Sequence, residues 1–424
     1  KAGQAARAMV LDLLEPQDHP NDFAYPGGPP RPPYDSAGWT LAYQMGVKFD
    51  RILDPFDGPF EAVTDVMKPP KGSIVAPRGR ANGYLLSGQV NDAFVAINRL
   101  LAAGEDVYRV SNAVTEGGTT FVPGSVYVAA KATTTAQLQK LADEVGLTFV
   151  GTASKVPAGA AKLKKLRIGL WDRYGGSMPS GWTRWLFEQY GFPFELVYPQ
   201  TLDAGNLIDK FDVLVFVDGA IPARETGGGA DAFTGGQPQA NNIPQEYAAQ
   251  LGSITVSKTV PELKKFVEAG GRLLAIGSST SIGNHFGLPM TDALVEKAVD
   301  GSVRPLPSDR FYIPGSVLQA AVDNTNPLAW GMEQKVDVFF DNSPSFVLGP
   351  DAPMKGLQAV VWYDSPTPLR SGWAWGQGYL EGSVAVAEAT MGKGKVFLFG
   401  PEIAFRAQPH GTFKLLFNGI YYQK

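Results

Sequence analysis

The chain has 424 residues, enough for two ordinary domains, with hydrophobic residues at 44% and charged residues at 18%. Lys+Arg 37 against Asp+Glu 41 gives a net charge of −4, so nucleic acid and anionic membrane are poor partners. There is no cysteine and there are three histidines, His19, His285 and His410, which excludes a thiol nucleophile and leaves little for a histidine-rich zinc site. No apolar run approaches the ~18 residues that a membrane span needs.

Residues 4–14 read as a short amphipathic helix with Ala5, Met9 and Leu13 on one side, ended by Pro16. The proline-crowded stretch to Pro33 cannot pair inside a sheet and resists helix, so it predicts an extended surface strap. From Gly83 the pattern alternates. A strand at 84–88 precedes a helix from Asp92 to Ala103, stopped by Gly104. Strands at 107–113 and 120–130 follow, then a helix from Thr133 to Val145 stopped by Gly146, then a strand at 147–153.

Residues 154–165 lack apolar periodicity and read as a linker. Beyond it, strands are expected at 166–171 and 194–199, with a helix between them capped by Ser180 and burying Trp182, Trp185, Leu186 and Tyr190. The apolar run at 213–217 has the look of a central parallel strand. Gly219 to Asn242 is a glycine-rich loop, and its Gly227-Gly228-Gly229 lacks the Lys-Ser/Thr of a phosphate loop. A helix ending near Gly270, the strand at 272–277 and later strands at 358–364 and 395–400 complete the pattern. The reading is α/β. An N-terminal helix and strap (1–82) precede a small α/β module (83–153), the linker (154–165) and a doubly wound, mostly parallel sheet domain (166–424).

In such sheets the chemistry gathers at the carboxyl ends of the strands. The strand ending at Ile276 runs into Gly277, Ser278 and Ser279, a place where an elbow would expose a nucleophile. A plain helix-capping turn is the preferred reading, because serine is an ordinary cap. Glu402, Arg406 and His410 follow the strand ending at Gly400. Glu402 and Arg406 are placed to pair, with His410 completing an acid/base or anion-binding cluster, or a packing network. His285, Arg406, Trp373 and Trp375 are candidate binding residues, and Trp330 with the last two is the candidate strip for a glycan or peptide. No metal site is expected: neither His285 nor His410 has a ligand at metal spacing, and Asp203, Asp209 and Asp212 form no calcium loop.

Residues 14–47, LEPQDHPNDFAYPGGPPRPPYDSAGWTLAYQMGV, resemble the segment that follows the catalytic domain in large bacterial zinc carboxypeptidases of the carboxypeptidase A-like class. The stretches RIGLWDRYGGSMPSGWTRWLFEQYGFPFELV, FYIPGSVLQAAVD, NPLAWGM, SGWAWGQGYLEG and FRAQPHGTFKLLFN resemble the C-terminal part of the same proteins. That part looks like a class I glutamine amidotransferase fold. The resemblance puts Gly277-Ser278 where the amidotransferase cysteine would stand and Glu402 where its histidine would stand. It places the zinc and the peptidase residues in a domain upstream of Lys1, since this chain has no His-x-x-Glu. Lys1 in place of methionine implies a removed leader or a start within a longer polypeptide.

The expectation is therefore a non-catalytic accessory region of an exported, periplasmic or extracellular metallocarboxypeptidase. It would hold no cofactor of its own, and its partners would be the upstream peptidase domain and a peptide substrate. The alternatives are an independent hydrolase, with Ser278 or Ser279 as nucleophile and His410 as base, and a glycan or peptide binder.

Overall fold

The strands Val213–Phe216 and Arg272–Ile276 are apolar on both faces and almost wholly buried, as a central strand covered on each side must be. They belong to a computed structural model that describes residues 5–61, 69–77, 79–225 and 237–422. The chain divides into two compact units. The larger gathers residues 1–46, 166–188 and 193–420, and the smaller gathers 47–165 with 189–192 and the last residues. The first 46 residues thus cluster with the sheet domain rather than with the strap region to 82. Residues 154–165, expected as a linker, carry a short strand, Ala161–Lys162, that pairs with Val107–Arg109.

The larger unit is a mixed α/β fold. Five parallel strands run in the order Phe194–Val197, Ile168–Trp171, Val213–Phe216, Arg272–Ile276, Gly394–Phe399. In chain order that is 2-1-3-4-5, a doubly wound arrangement whose direction of travel reverses between the first and third strands. Strands Val384–Met391, Leu357–Trp362, Ser316–Val322 and Lys335–Phe340 extend the sheet in antiparallel fashion. The helix Phe413–Ile420 packs on the Arg272 strand, where Gly419 lets it approach Leu274: a Cβ there would come within 2.9 Å of that side chain.

The helix Met178–Tyr190 starts a turn earlier than expected. Ser177 sits at its head, accepting from the Ser180 amide at 3.5 Å, while the Ser180 hydroxyl donates to the Trp171 carbonyl at 2.9 Å. Its buried stripe is Thr183, Leu186, Phe187 and Tyr190, which leaves Trp182 39% and Trp185 46% exposed. The expectation that both tryptophans are core is corrected: on a 3.6-residue period they fall one position off the stripe.

The N-terminal helix, Arg7–Leu14, buries no residue, and Met9 is exposed. The proline strap is extended only at its start; residues 22–31 fold back in a small hairpin, with Phe23 bridged to Pro30 and the Arg31 amide donating to the Asp22 carbonyl. The start runs against the loop at Gly372, donating the His19 amide to the Gly372 carbonyl and accepting the Gly372 amide at the Gln17 carbonyl.

The smaller unit is a six-stranded sheet in the order Ile74–Val75, Phe149–Thr152, Gly83–Leu86, Val126–Ala129, Val107–Arg109, Ala161–Lys162. Only the first pair is parallel. Helices Ala93–Ala102 and Thr134–Val145 lie where the periodicity placed them. The second ends at Gly146 in the left-handed region (φ +79°), which glycine adopts without strain. Leu85, Val110, Phe121, Tyr127 and Val150 form a buried cluster in this unit.

Candidate functional site

Four parallel strands deliver side chains to one edge of the large sheet. Asp172 follows the strand Ile168–Trp171, Asp218 follows Val213–Phe216, Gly277 and Ser278 follow Arg272–Ile276, and Glu402 follows Gly394–Phe399. This is the carboxyl edge, beside the point where strand order reverses. Asp341, after the strand Lys335–Phe340, is close enough for its charge to act on Glu402.

The elbow exists, but its apex is Gly277, at φ +59°. A Cβ there would lie 2.4 Å from Asp218 Oδ1 and 2.7 Å from Glu402 Oε1. The space a nucleophile's side chain needs is filled by two carboxyls. Ser278, one residue on, is exposed. Its hydroxyl donates to Asp218 Oδ1 at 2.6 Å and accepts the Gly219 amide at 2.9 Å, and its own amide donates to the same Asp218 oxygen at 2.7 Å. Ser279 is fully buried. Its hydroxyl donates to the Val217 carbonyl at 2.6 Å and accepts the amides of Ala220 and Ile221 at 3.1 and 3.0 Å. Three bonds use up its capacity, so it ties the elbow to the loop after the Val213 strand.

Neither serine is hydrogen-bonded to a histidine. His285 Nε2 lies 2.7 Å from the Pro222 carbonyl. The His410 ring packs on Phe413 at 4.7 Å between centroids, and the His410 amide donates to the Gln408 carbonyl. Arg406 does not pair with Glu402. It makes a two-pronged ion pair with Asp35, Nη1 and Nη2 each 2.7 Å from a carboxylate oxygen. The cause is the backbone: Arg406 and Ala407 both adopt left-handed φ, +48° and +52°, and the guanidinium is carried to the residue that follows the proline strap. Phe405 stacks on Phe339 at 4.1 Å.

The carboxyl of Glu402 makes no hydrogen bond among the described residues. Glu402 is half-buried and lines a cavity of about 40 Å³ together with Met178, Trp182, Val217, Ile276 and Phe405. Burial, reinforced by the negative charges of Asp218 and Asp341, pushes its pKa up to about 8. Asp172 is also raised by burial, against the hydrogen bond it accepts from the Arg173 amide. The site thus offers a proton held at neutral pH, an apolar wall and uncompensated negative charge. Among the described residues no group of three His, Asp or Glu is arranged to hold a metal ion.

The tryptophan strip is corrected. Trp330 is 7% and Trp373 2% exposed. Trp373 stacks on His19 and donates its Nε1 to Asn21 at 2.8 Å, while Trp375 donates to the Asp309 carbonyl and lies edge-on to Phe23. Trp373 and Trp375 thus pack on strap residues His19, Asn21 and Phe23, while Trp330 is buried elsewhere and donates its Nε1 to the Thr325 carbonyl. Sequence reasoning passed over Asp172, Asp218 and Asp341. Their signal was present, since apolar runs lead straight into an aspartate at Trp171-Asp172, Val217-Asp218 and Phe340-Asp341.

No family model matches the chain, and no curated protein does. Among solved structures it is similar to a cytoplasmic protein from Salmonella typhimurium, at 14% identity and TM-score 0.33 over 61% of this chain and 98% of that one. It is also similar to PurLQS from Thermotoga maritima, at 17% identity and TM-score 0.35 over 61% of this chain and 100% of that one. A β-galactosidase from a Rahnella species gives 13% identity and TM-score 0.31 over 62% of this chain and 32% of that one. At these TM-scores the likenesses carry no argument.

Proposed function

We propose that this chain is a non-catalytic accessory region of an exported bacterial zinc carboxypeptidase. On this reading an amidotransferase-like domain that has lost its chemistry packs on, or modulates, a peptidase domain upstream. The observation that supports the loss of chemistry is the occupied elbow: Gly277 supplies no side chain, and the carboxyls of Asp218 and Glu402 stand in the nucleophile's place. The hydroxyls of Ser278 and Ser279 are held by Asp218 and by backbone rather than by a histidine base. The long family-like segments at 14–47 and through the sheet domain support the parentage, and zinc belongs to the peptidase domain on this reading.

The chain alone, supplied with zinc, is expected to release no C-terminal residue from peptides; measurable release refutes the reading. The reading frame that encodes Lys1 is expected to continue upstream into a domain with a His-x-x-Glu motif. A start codon immediately before Lys1 contradicts the parentage.

A further inference from the structure

We propose that the cavity over Glu402 is a binding site for a terminal ammonium group carried on an apolar chain, with Glu402 as its counter-charge and Trp182 along its stem. Four observations converge. First, the Glu402 carboxyl has no hydrogen-bond partner among the described residues, and Glu402 lines the cavity, so its acceptor capacity is left to solvent or to a ligand. Second, a volume of about 40 Å³ admits one water-sized group, which suits an ammonium head. Third, the charge facing Glu402 is negative, from Asp218 and Asp341, and the cation at the rim, Arg406, is already neutralised by Asp35. Fourth, Met178 and Trp182 continue the apolar wall outward, 72% and 39% exposed, so a methylene chain leaving the cavity meets a thioether and an indole. An aromatic face near a cation adds its own attraction.

The inference rests on the reading that the elbow does not cleave. The ammonium enters, Glu402 gives its proton to solvent, and the ammonium donates to the carboxylate in an ion pair whose remaining donors face solvent. Two sources share this chemistry: a free alkylamine and a lysine side chain of a peptide.

The test is calorimetric titration of the full chain with n-butylamine, n-butanol, butyrate and Nα-acetyl-lysine amide, at pH 6 and pH 9. n-Butylamine or the lysine derivative is expected to bind at least about tenfold more tightly than n-butanol, as a charge-assisted contact of ~1.5–3 kcal/mol implies. Butyrate is not expected to bind. Binding is expected to be tighter at pH 9, where Glu402 is ionised. Glu402→Gln is expected to remove the preference for amine over alcohol, and Trp182→Ala, at an exposed position, to weaken amine binding several-fold while leaving the fold intact. If only the lysine derivative binds, the source is a peptide; if only n-butylamine binds, it is a free amine. Equal binding of amine and alcohol, absence of binding by both amines, or an undiminished preference in Glu402→Gln overturns the inference. Turnover of any ligand sinks the non-catalytic reading instead.

Discussion

A carboxyl packed like Glu402 holds its proton to higher pH than one in water, and the consequence for stability has a definite sign. In the unfolded chain Glu402 titrates near 4.5, and in the folded chain near 8. Between those values the folded state binds the extra proton, so stability falls as pH rises, by up to about 1.4 kcal/mol per pH unit. Glu402→Gln is expected to flatten that slope and to be more stable than the parent at pH 9 but not at pH 5; urea unfolding at both pH values checks it. A parallel pair of curves would show that Glu402 ionises normally. Gly277 is the second residue on which the site depends. Gly277→Ala is expected to cost upwards of about 2 kcal/mol, because it adds left-handed strain to a collision with Asp218 and Glu402. Gly175→Ala, also at positive φ but with open space around its Cβ, is the control and is expected to cost about half as much.

The turn from Phe405 to Ala407 contributes Phe405 and Arg406 to the cavity wall. Two successive non-glycine residues in the left-handed region cost roughly 1 kcal/mol each, and they persist because the Arg406–Asp35 pair and the Phe405–Phe339 stack hold them. Ala407→Gly is expected to stabilise by about 0.5–1 kcal/mol. The Arg406–Asp35 coupling, measured by a double-mutant cycle, is expected at no more than about 1 kcal/mol because both side chains are substantially exposed. Elements of this kind are poorly legible in a sequence. Proximity along the chain puts Arg406 beside Glu402, yet the left-handed turn sends it to a residue 371 positions away. The helix Met178–Tyr190 was legible in type but not in facing. Tryptophan's bulk drew the apolar stripe to 182 and 185, whereas the buried set runs through Thr183, a residue whose hydroxyl is satisfied within the helix by the Pro179 carbonyl at 2.8 Å. Helix ends marked by glycine, such as Gly146, were legible because the left-handed cap admits few other residues.

For the whole molecule, the parallel half of the sheet could be read from buried apolar runs separated by helices, and with it the edge where a site must lie. The antiparallel extension could not, because a strand buried on both faces reads the same whichever way its neighbour runs, as Val384–Met391 does. The elbow's position was likewise legible and its content was not, since only the backbone shows that Gly277, not a serine, occupies the apex. The central claim is that this edge has the shape of a hydrolytic site without a nucleophile. It is tested most directly by exposing the folded chain to a fluorophosphonate and weighing the intact protein. The account predicts an unchanged mass; an adduct that localises to Ser278 and disappears in Ser278→Ala would contradict it.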